Sequence, residues 1–305
     1  MKPIDIIIIS YNRPDDLLDL LKNIAGLDDK GTLLNEVIII NNQSTISYKP
    51  VTDYINSNPL LPFRFISAAE NLGVARGRNL AIRESKADIL VTIDDDATFA
   101  NSTALRLIYA AFTDKYTADN NVGVYSFKIF YAATKTLQVS AFPNKNIARY
   151  RSKEKFLAPY FIGCAHAILK KTYNAAGSYP EDFFYGMEEY DLTYRIINSG
   201  YSIAFLGGVL VWHKESPSGR QPTDQKLQMM WVNKAKVAFK YLQKKYFLST
   251  AVLWSGLYLI KSKGDIKGFI NGWQAIGIFK RSQQKKPLTA KAYTYLKKTE
   301  ARLWY

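Results

Sequence analysis

Three consecutive carboxylates, Asp94, Asp95 and Asp96, close the apolar run "ILVTI" and give way at once to apolar residues again, "ATF". Like charges so crowded repel one another, and a divalent cation held among them relieves that repulsion. Hard ions such as Mg²⁺ and Mn²⁺ take this kind of oxygen ligand. Such an ion also bridges the oxygens of a diphosphate and neutralises the charge that builds on a departing group. A turn of three solvated aspartates is the plain alternative. A second acidic group, Glu188, Glu189 and Asp191 in "YGMEEYDLTYR", stands where a helix begins. The helix dipole favours carboxylates there, so simple N-terminal capping accounts for one or two of them. His213, one of two histidines, ends an apolar run in "LVWHKES", a place from which it could complete a metal site. "ENLGVARGRNLAI" sets two glycines and two arginines at the start of a helix, where backbone N–H groups and Arg76 or Arg78 could meet phosphate oxygens.

The elements that must position these residues follow from the apolar pattern. "IDIIIIS", "EVIIINN", "FRFISA" and "ADILVTID" read as strands. Between them, "PDDLLDLLKNI" repeats Leu17, Leu18, Leu21 and Ile24 at helical spacing after Pro14, and "GVARGRNLAIRES" is a second helix. This alternation predicts an open, mostly parallel α/β sheet, which takes ligands outside the carboxyl ends of its strands. Ser10 to Arg13, Asn41 to Ser44 and Asp94 to Asp96 are the polar clusters at those ends. Residues 120–224 differ: strands "NVGVYSFKIFY" and "YSIAFLGGVLVWH" flank the helix "EEYDLTYRIINSG", which ends at Gly200. "KESPSGRQPTD", 214–224, reads as a mobile loop.

The chain of 305 residues is 48% hydrophobic, enough to bury a sizeable core, so disorder is not the expectation. One cysteine, Cys164, forms no internal disulfide and reads as a small buried hydrophobe; nothing calls for an oxidising compartment. The N-terminal apolar run is too short for a signal-peptide core, and no stretch reaches 18 uninterrupted apolar residues. The net charge of +15 is concentrated: residues 225–305 hold 17 Lys and Arg against Asp265 and Glu300. There lysines interleave with Trp231, Phe239, Tyr241, Tyr246, Phe247, Trp254, Tyr258, Phe269, Trp273 and Phe279, which fits a helical surface lying on anionic lipid. Nucleic acid is the competing partner, disfavoured because 247–260 is more apolar than a phosphate-binding groove needs to be. An ordinary packed helical subdomain with a solvated lysine face is the plain alternative.

In chain order, "IIIISYNRP", "VIIINNQST", "ENLGVARGRN", "TIDDDA", "FIGCAHAILKKTYNAAGSYPEDFFYGMEEYDLTYRIINSGY" and "VWHKES" resemble the family 2 glycosyltransferases, inverting enzymes of GT-A fold. The resemblance covers about residues 3–216 and is closest in motif to the rhamnosyl- and galactofuranosyltransferase branch. It implies a catalytic domain at 1–224, with 1–100 the nucleotide-sugar half and 101–224 the acceptor half, and a helical basic and aromatic tail at 225–305. The aspartate triplet matches the family's DXD motif: Asp94 faces ribose or metal, Asp95 belongs to the nucleotide-sugar site, and Asp96 is the principal ligand of Mn²⁺ or Mg²⁺, joined by His213. Glu189 matches the catalytic base, beside Glu188, and Asp191 a further acid that supports the helix start or orients acceptor. Ser10, Asn12 and Arg13 match the first nucleotide-binding loop. Asn71, Gly73, Arg76 and Arg78 fall in the glycine and arginine stretch. Asn41 stands where an aspartate usually reads the uracil edge; its amide oxygen still accepts a hydrogen bond.

The activity so implied is metal-dependent, inverting transfer from a UDP- or dTDP-sugar to a hydroxyl of a glycan or lipid-linked glycan in bacterial surface polysaccharide synthesis. The enzyme would sit in the cytoplasm, peripherally on the inner face of the membrane, held by its tail. A nucleotidyltransferase of sugar metabolism and a noncatalytic glycan-binding module are the alternatives.

Overall fold

The four consecutive isoleucines Ile6 to Ile9 occupy β1 (Ile4–Ser10), almost wholly buried, as β-branched residues in the middle of a parallel sheet should be. In this computed structural model, which describes residues 2–219 and 223–303, eight further strands join it. They are β2 (Leu34–Asn41), β3 (Phe63–Ser67), β4 (Ile89–Ile93), β5 (Ala97–Phe99), β6 (Val122–Tyr131), β7 (Lys155–Leu157), β8 (Ala165–Leu169) and β9 (Ser202–His213). Residues 220–222, within the segment read as a mobile loop, and 304–305 of the tail lie outside the described residues. The sheet runs β3-β2-β1-β4-β8-β6-β9-β5, with β7 on β9. Its first four strands are parallel, as the alternation predicts. Beyond β4 it is mixed: β8 is antiparallel to β4 and β6, β9 is parallel to β6, and β5 and β7 run against β9.

Residue alternation sorts the core into two layers. Ile6 and Ile8 join Leu17, Leu20, Leu21 and Ile24 of helix Pro14–Ala25 on one face. Ile7 faces the other way, toward Ala75, Ala81 and Ile82 of helix Gly73–Glu84. Gly77 lets that helix lie close on β1: a Cβ there would stand 3.2 Å from the Ile9 side chain.

Two placements decide where chemistry is possible. Parallel pairing sets Ser10 against Asn41 and Asn41 against Ser67, so the carboxyl ends of the strands share one edge. Across the sheet, Ala97 pairs with His213, which brings the end of β9 beside the turn between β4 and β5, where the aspartates sit.

The tail forms helices Thr223–Tyr241, Lys244–Lys261, Ile266–Ser282 and Ala290–Lys298. Their apolar residues belong to the same cluster as Ile7, Phe161 and Phe205. Trp231 is fully buried at its centre, stacked on Tyr258 and Phe269 at 5.5 and 5.8 Å. Several aromatic rings expected at a lipid interface therefore point inward instead: Phe239, Tyr241, Phe247, Tyr258 and Phe279 are buried with Trp231.

Candidate active site

Ser10, at the end of β1, donates its hydroxyl to Asp95 Oδ2 at 2.7 Å, and Tyr48 Oη lies 2.6 Å from Ser10 Oγ. Arg13 donates Nη1 to Asp95 Oδ1 at 2.9 Å and stands 3.2 Å from Asp96 Oδ2. The crowding of the triplet is thus relieved in part by the protein's own cations. Arg13 is held by the aspartates and by Ser218, whose carbonyl accepts from Nε at 2.6 Å. Asp95 is buried beneath the loop; burial pushes its carboxyl up to about 7 against the pull of Arg13. It ties the first loop to the sheet.

Asp94 and Asp96 differ from Asp95. Asp94 remains partly exposed and accepts from Arg78 Nη2 at 3.2 Å. Asp96 Oδ2 accepts from the Ser216 N–H at 2.9 Å, and its Oδ1 stands 3.2 Å from His213 Nε2. Gln138, carried by the hairpin after β6, takes His213 Nδ1–H on its side-chain oxygen at 2.9 Å, which leaves Nε2 as the nitrogen facing the aspartates. A second partner that fixes the tautomer in this way is the usual companion of a metal-binding histidine. Two cis ligands at ~2.1 Å from an octahedral ion stand about 3 Å apart, close to the separation found here. Asp96 and His213 therefore have the donor chemistry and mutual spacing for a divalent ion, and an Asp94 oxygen lies within 4.8 Å of a His213 ring nitrogen. The Cys164 thiol lies within 4.8 Å of the Asp94 and His213 ligand atoms. Burial and the neighbouring Asp94 and Asp96 push it well up, so it stays a neutral thiol and a poor partner for a hard ion.

Arg78 connects this cluster to the second acidic group. Buried, it donates Nη1 to Glu188 Oε1 at 3.0 Å and Nη2 to the Gly163 carbonyl at 2.9 Å as well as to Asp94. The Gly163 turn is held by His166, whose Nδ1 pairs with the Ile162 carbonyl at 2.9 Å and whose Nε2 accepts from Tyr179 Oη at 3.0 Å. Burial and Arg78 lower this histidine to about 3, so it is neutral and structural. Gly163 lies against both side chains: a Cβ there would stand in ordinary contact, 3.5 Å from Arg78 Nη1 and 3.9 Å from Glu189 Cδ. Glu189 is half-buried, and burial and Glu188 push its carboxyl up to about 8 while Arg78 pulls the other way. Asp191 is fully engaged, with Arg195 at 2.8 Å, Lys240 at 2.7 Å and Tyr241 Oη at 3.0 Å. It fastens the acidic helix to the tail and has no free oxygen for an acceptor.

Other residues read from the sequence are placed differently from expectation. Arg76 turns outward to Glu70 at 2.9 Å and does not reach the cleft. Two N–H groups at the start of helix Gly73–Glu84 are engaged within the protein: Gly73 N–H donates to Asn71 Oδ1 at 3.0 Å and Val74 N–H to the Phe184 carbonyl at 2.9 Å. Gly73 is required for shape, since its φ is +67° and a Cβ would fall 2.5 Å from the Phe184 carbonyl oxygen. Asn12 Oδ1 accepts from the Thr45 N–H at 2.8 Å, and Asn41 Oδ1 from the Ser44 N–H at 3.0 Å, so both shape the loops. Asn42, within the polar cluster Asn41 to Ser44 but given no role of its own there, is the buried hub between the loops, donating Nδ2 to Asn71 Oδ1 at 3.0 Å and accepting from Leu72 N–H at 2.9 Å. A cleft of about 290 Å³ is lined by Arg13, Asn42, Asn71, Arg78, the three aspartates, Tyr185, His213 and Lys226, whereas Ser10, Asn12, Asn41, Arg76, Glu188 and Glu189 are not among its lining residues.

The sequence description of glycosyl transferase family 2 matches residues 5–175, more than half of the chain. The chain belongs to that family. It is a glycosyltransferase. It is 28% identical over 177 residues to an uncharacterized protein of Haemophilus influenzae, covering 58% of this chain and 92% of that one. It is also 28% identical over 198 residues to the O-antigen chain rhamnosyltransferase WbaN of Salmonella anatum, covering 61% of this chain and 59% of the relative. Among solved structures, GalNAc-T7 with UDP, GalNAc and Mn²⁺ superposes with a TM-score of 0.64 at 14% identity, over 91% of this chain and 55% of the other. That likeness places this glycosyltransferase in the GT-A fold, and the chain spans little more than half of WbaN and of GalNAc-T7.

Proposed function

We propose that this family 2 enzyme transfers a sugar, with inversion, from a nucleotide-sugar donor to a hydroxyl of a glycan or lipid-linked glycan in the synthesis of a bacterial surface polysaccharide. The observation that carries the reading is the single guanidinium of Arg78, which joins Asp94 on one side to Glu188, the chain neighbour of Glu189, on the other. Asp94, Asp96 and His213 would hold Mn²⁺ or Mg²⁺, and the bound ion would offset the negative charge of the departing nucleoside diphosphate. Glu189 accepts the proton of the acceptor hydroxyl as that oxygen attacks the anomeric carbon from the face opposite the nucleotide. Its raised affinity for protons suits a base. The bond to the nucleotide breaks as the new glycosidic bond forms, and no covalent enzyme intermediate is required. A UDP- or dTDP-sugar is the proposed donor; the loop at Asn41 carries no acidic side chain for the base edge.

The relative named as an O-antigen rhamnosyltransferase supports the polysaccharide setting. Membership of family 2 sets aside the nucleotidyltransferase and the noncatalytic module. Docking on an anionic membrane is supported by the tail's charge and by its exposed aliphatic side chains. Val252, Leu253, Ile260, Ile266, Ile270 and Ile278 are all exposed. No helix among the described residues is long and apolar enough to cross a membrane. A screen of UDP-, dTDP- and GDP-sugars with manganese, read as released nucleoside diphosphate, tests the activity: release from one donor, abolished by chelator, is expected. Release of pyrophosphate, or none from any donor, contradicts the reading.

A further inference from the structure

Glu188 and Glu189 are the first two residues of their helix, and the chain turns sharply just before them. Gly186 and Met187 both lie in the left-handed region, at φ +79° and +70°. Met187 is not a glycine and its side chain makes no cap at the helix start, so this conformation persists only where its surroundings hold it. Every carbonyl from Phe184 to Met187 has a partner. Phe184 accepts from the Val74 N–H at 2.9 Å, and Met187 from the N–H groups of Tyr190 and Asp191, both at 3.1 Å. The two between them, Tyr185 and Gly186, are held by one side chain: Asn233 donates Nδ2 to both, at 3.1 and 3.0 Å.

Asn233 stands on helix Thr223–Tyr241, the first of the tail, and only 4% of it is exposed. Three and then four residues further along that helix, Lys236 pairs with Asp182 at 3.1 Å and Lys240 with Asp191 at 2.7 Å, so the contacts on either side of Asn233 bracket the turn. Met230 closes the space over Gly186, where a Cβ would collide with its sulfur. The helix is laid along residues 182–191 as a splint, and Asn233 meets the backbone just ahead of the acids.

We infer that Asn233 is a positioning residue for Glu189: by holding the Tyr185 and Gly186 carbonyls it fixes the left-handed turn that aims the carboxylate. This rests on the reading of Glu189 as the base and adds a residue of the tail to its support. Asn233 is not among the residues that line the cleft, so it acts through the backbone. A shift of about 1 Å in a reacting group costs roughly 10²-fold in rate.

The test is a double-mutant cycle, read as turnover with manganese of the nucleotide sugar that the donor screen selects. Asn233→Leu, close in volume and without a donor, is expected to lower kcat about tenfold or more while the donor KM and the affinity for UDP stay within about twofold of wild type. Asn233→Ser keeps one hydroxyl donor and is expected to fall between the two; it supplies the cycle if the leucine variant does not fold. In Glu189→Gln protein the same substitutions are expected to change the remaining rate less than about twofold, because the group they displace is already gone. A loss of structure alone would lower both backgrounds alike. Equal fold-losses with and without Glu189, an unchanged kcat in Asn233→Leu, or a rise in donor KM alone overturns the proposal. Near-normal turnover of Glu189→Gln by itself, or no turnover of any donor by wild type, refutes the underlying reading, whereas an additive cycle removes only Asn233 from it.

Discussion

Asp94, Asp95 and Asp96 are neighbours in sequence with three different tasks. Asp95 turns inward to Ser10 and Arg13, while Asp94 and Asp96 face Arg78 and His213. Arg13, read as a nucleotide ligand, is engaged by Asp95, 82 residues away, a pairing no local pattern announces. The acids and His213 were legible because a strand end rich in carboxylates is chemically conspicuous. Gln138 was not, since a glutamine in an irregular segment looks like any surface residue until its oxygen is seen on His213 Nδ1. Gln138→Leu should therefore weaken manganese binding about tenfold or more, measured by titration, with little change in melting temperature. An unaltered affinity would detach Gln138 from the metal site. Glu189→Gln should lower turnover by about 10²- to 10⁴-fold while donor affinity is kept. Because the Glu189 carboxyl is held high and the base acts deprotonated, wild-type kcat/KM should fall as pH drops through a limb well above the ordinary glutamate value of about 4.3. Near-normal turnover in the variant, or a rate flat from pH 5 to 8, would refute the base assignment.

Elements turn these residues into a site through register. Ala97 opposite His213 sets the histidine beside Asp96, and the Ser10–Asn41 pairing aligns the two loops. The parallel half was readable from its long β-branched runs. The second half was less so: β5 and β7 have three residues each, too few to show a period, and β8 is a five-residue "AHAIL" leading straight into a helix. The start of the acidic helix was visible in its carboxylates, and Asp191 was expected to support it or to orient acceptor, but its partners Lys240 and Tyr241, some 50 residues on, were not visible; with Arg195 they hold Asp191 in place. Asp191→Ala leaves Lys240 and Arg195 facing a buried gap and should cost about 3 kcal/mol in stability, seen in denaturant unfolding. A variant as stable as wild type would show the network to be dispensable.

At the scale of the molecule, the charge boundary near residue 225 does not separate two cores: Trp231 and Tyr258 share a cluster with Ile7 and Phe205. Composition located the change of role in the tail but not its direction of packing, because aromatic and lysine-rich helices read alike whether rings turn inward or outward. The rings fill the core and the aliphatic residues take the surface. Replacing Val252, Leu253, Ile270 and Ile278 together by serine should sharply reduce co-sedimentation with anionic liposomes and leave donor hydrolysis intact. Equal binding of wild type to neutral and anionic vesicles, or to neither, would contradict electrostatic docking. Strand register sets His213 3.2 Å from Asp96 and within 4.8 Å of Asp94, and the most direct test of the metal site proposed there is a manganese titration by electron paramagnetic resonance with UDP present. One ion is expected to bind wild type and Glu189→Gln alike and to be lost from Asp96→Asn and His213→Gln; retention of manganese by both of those variants would contradict the account.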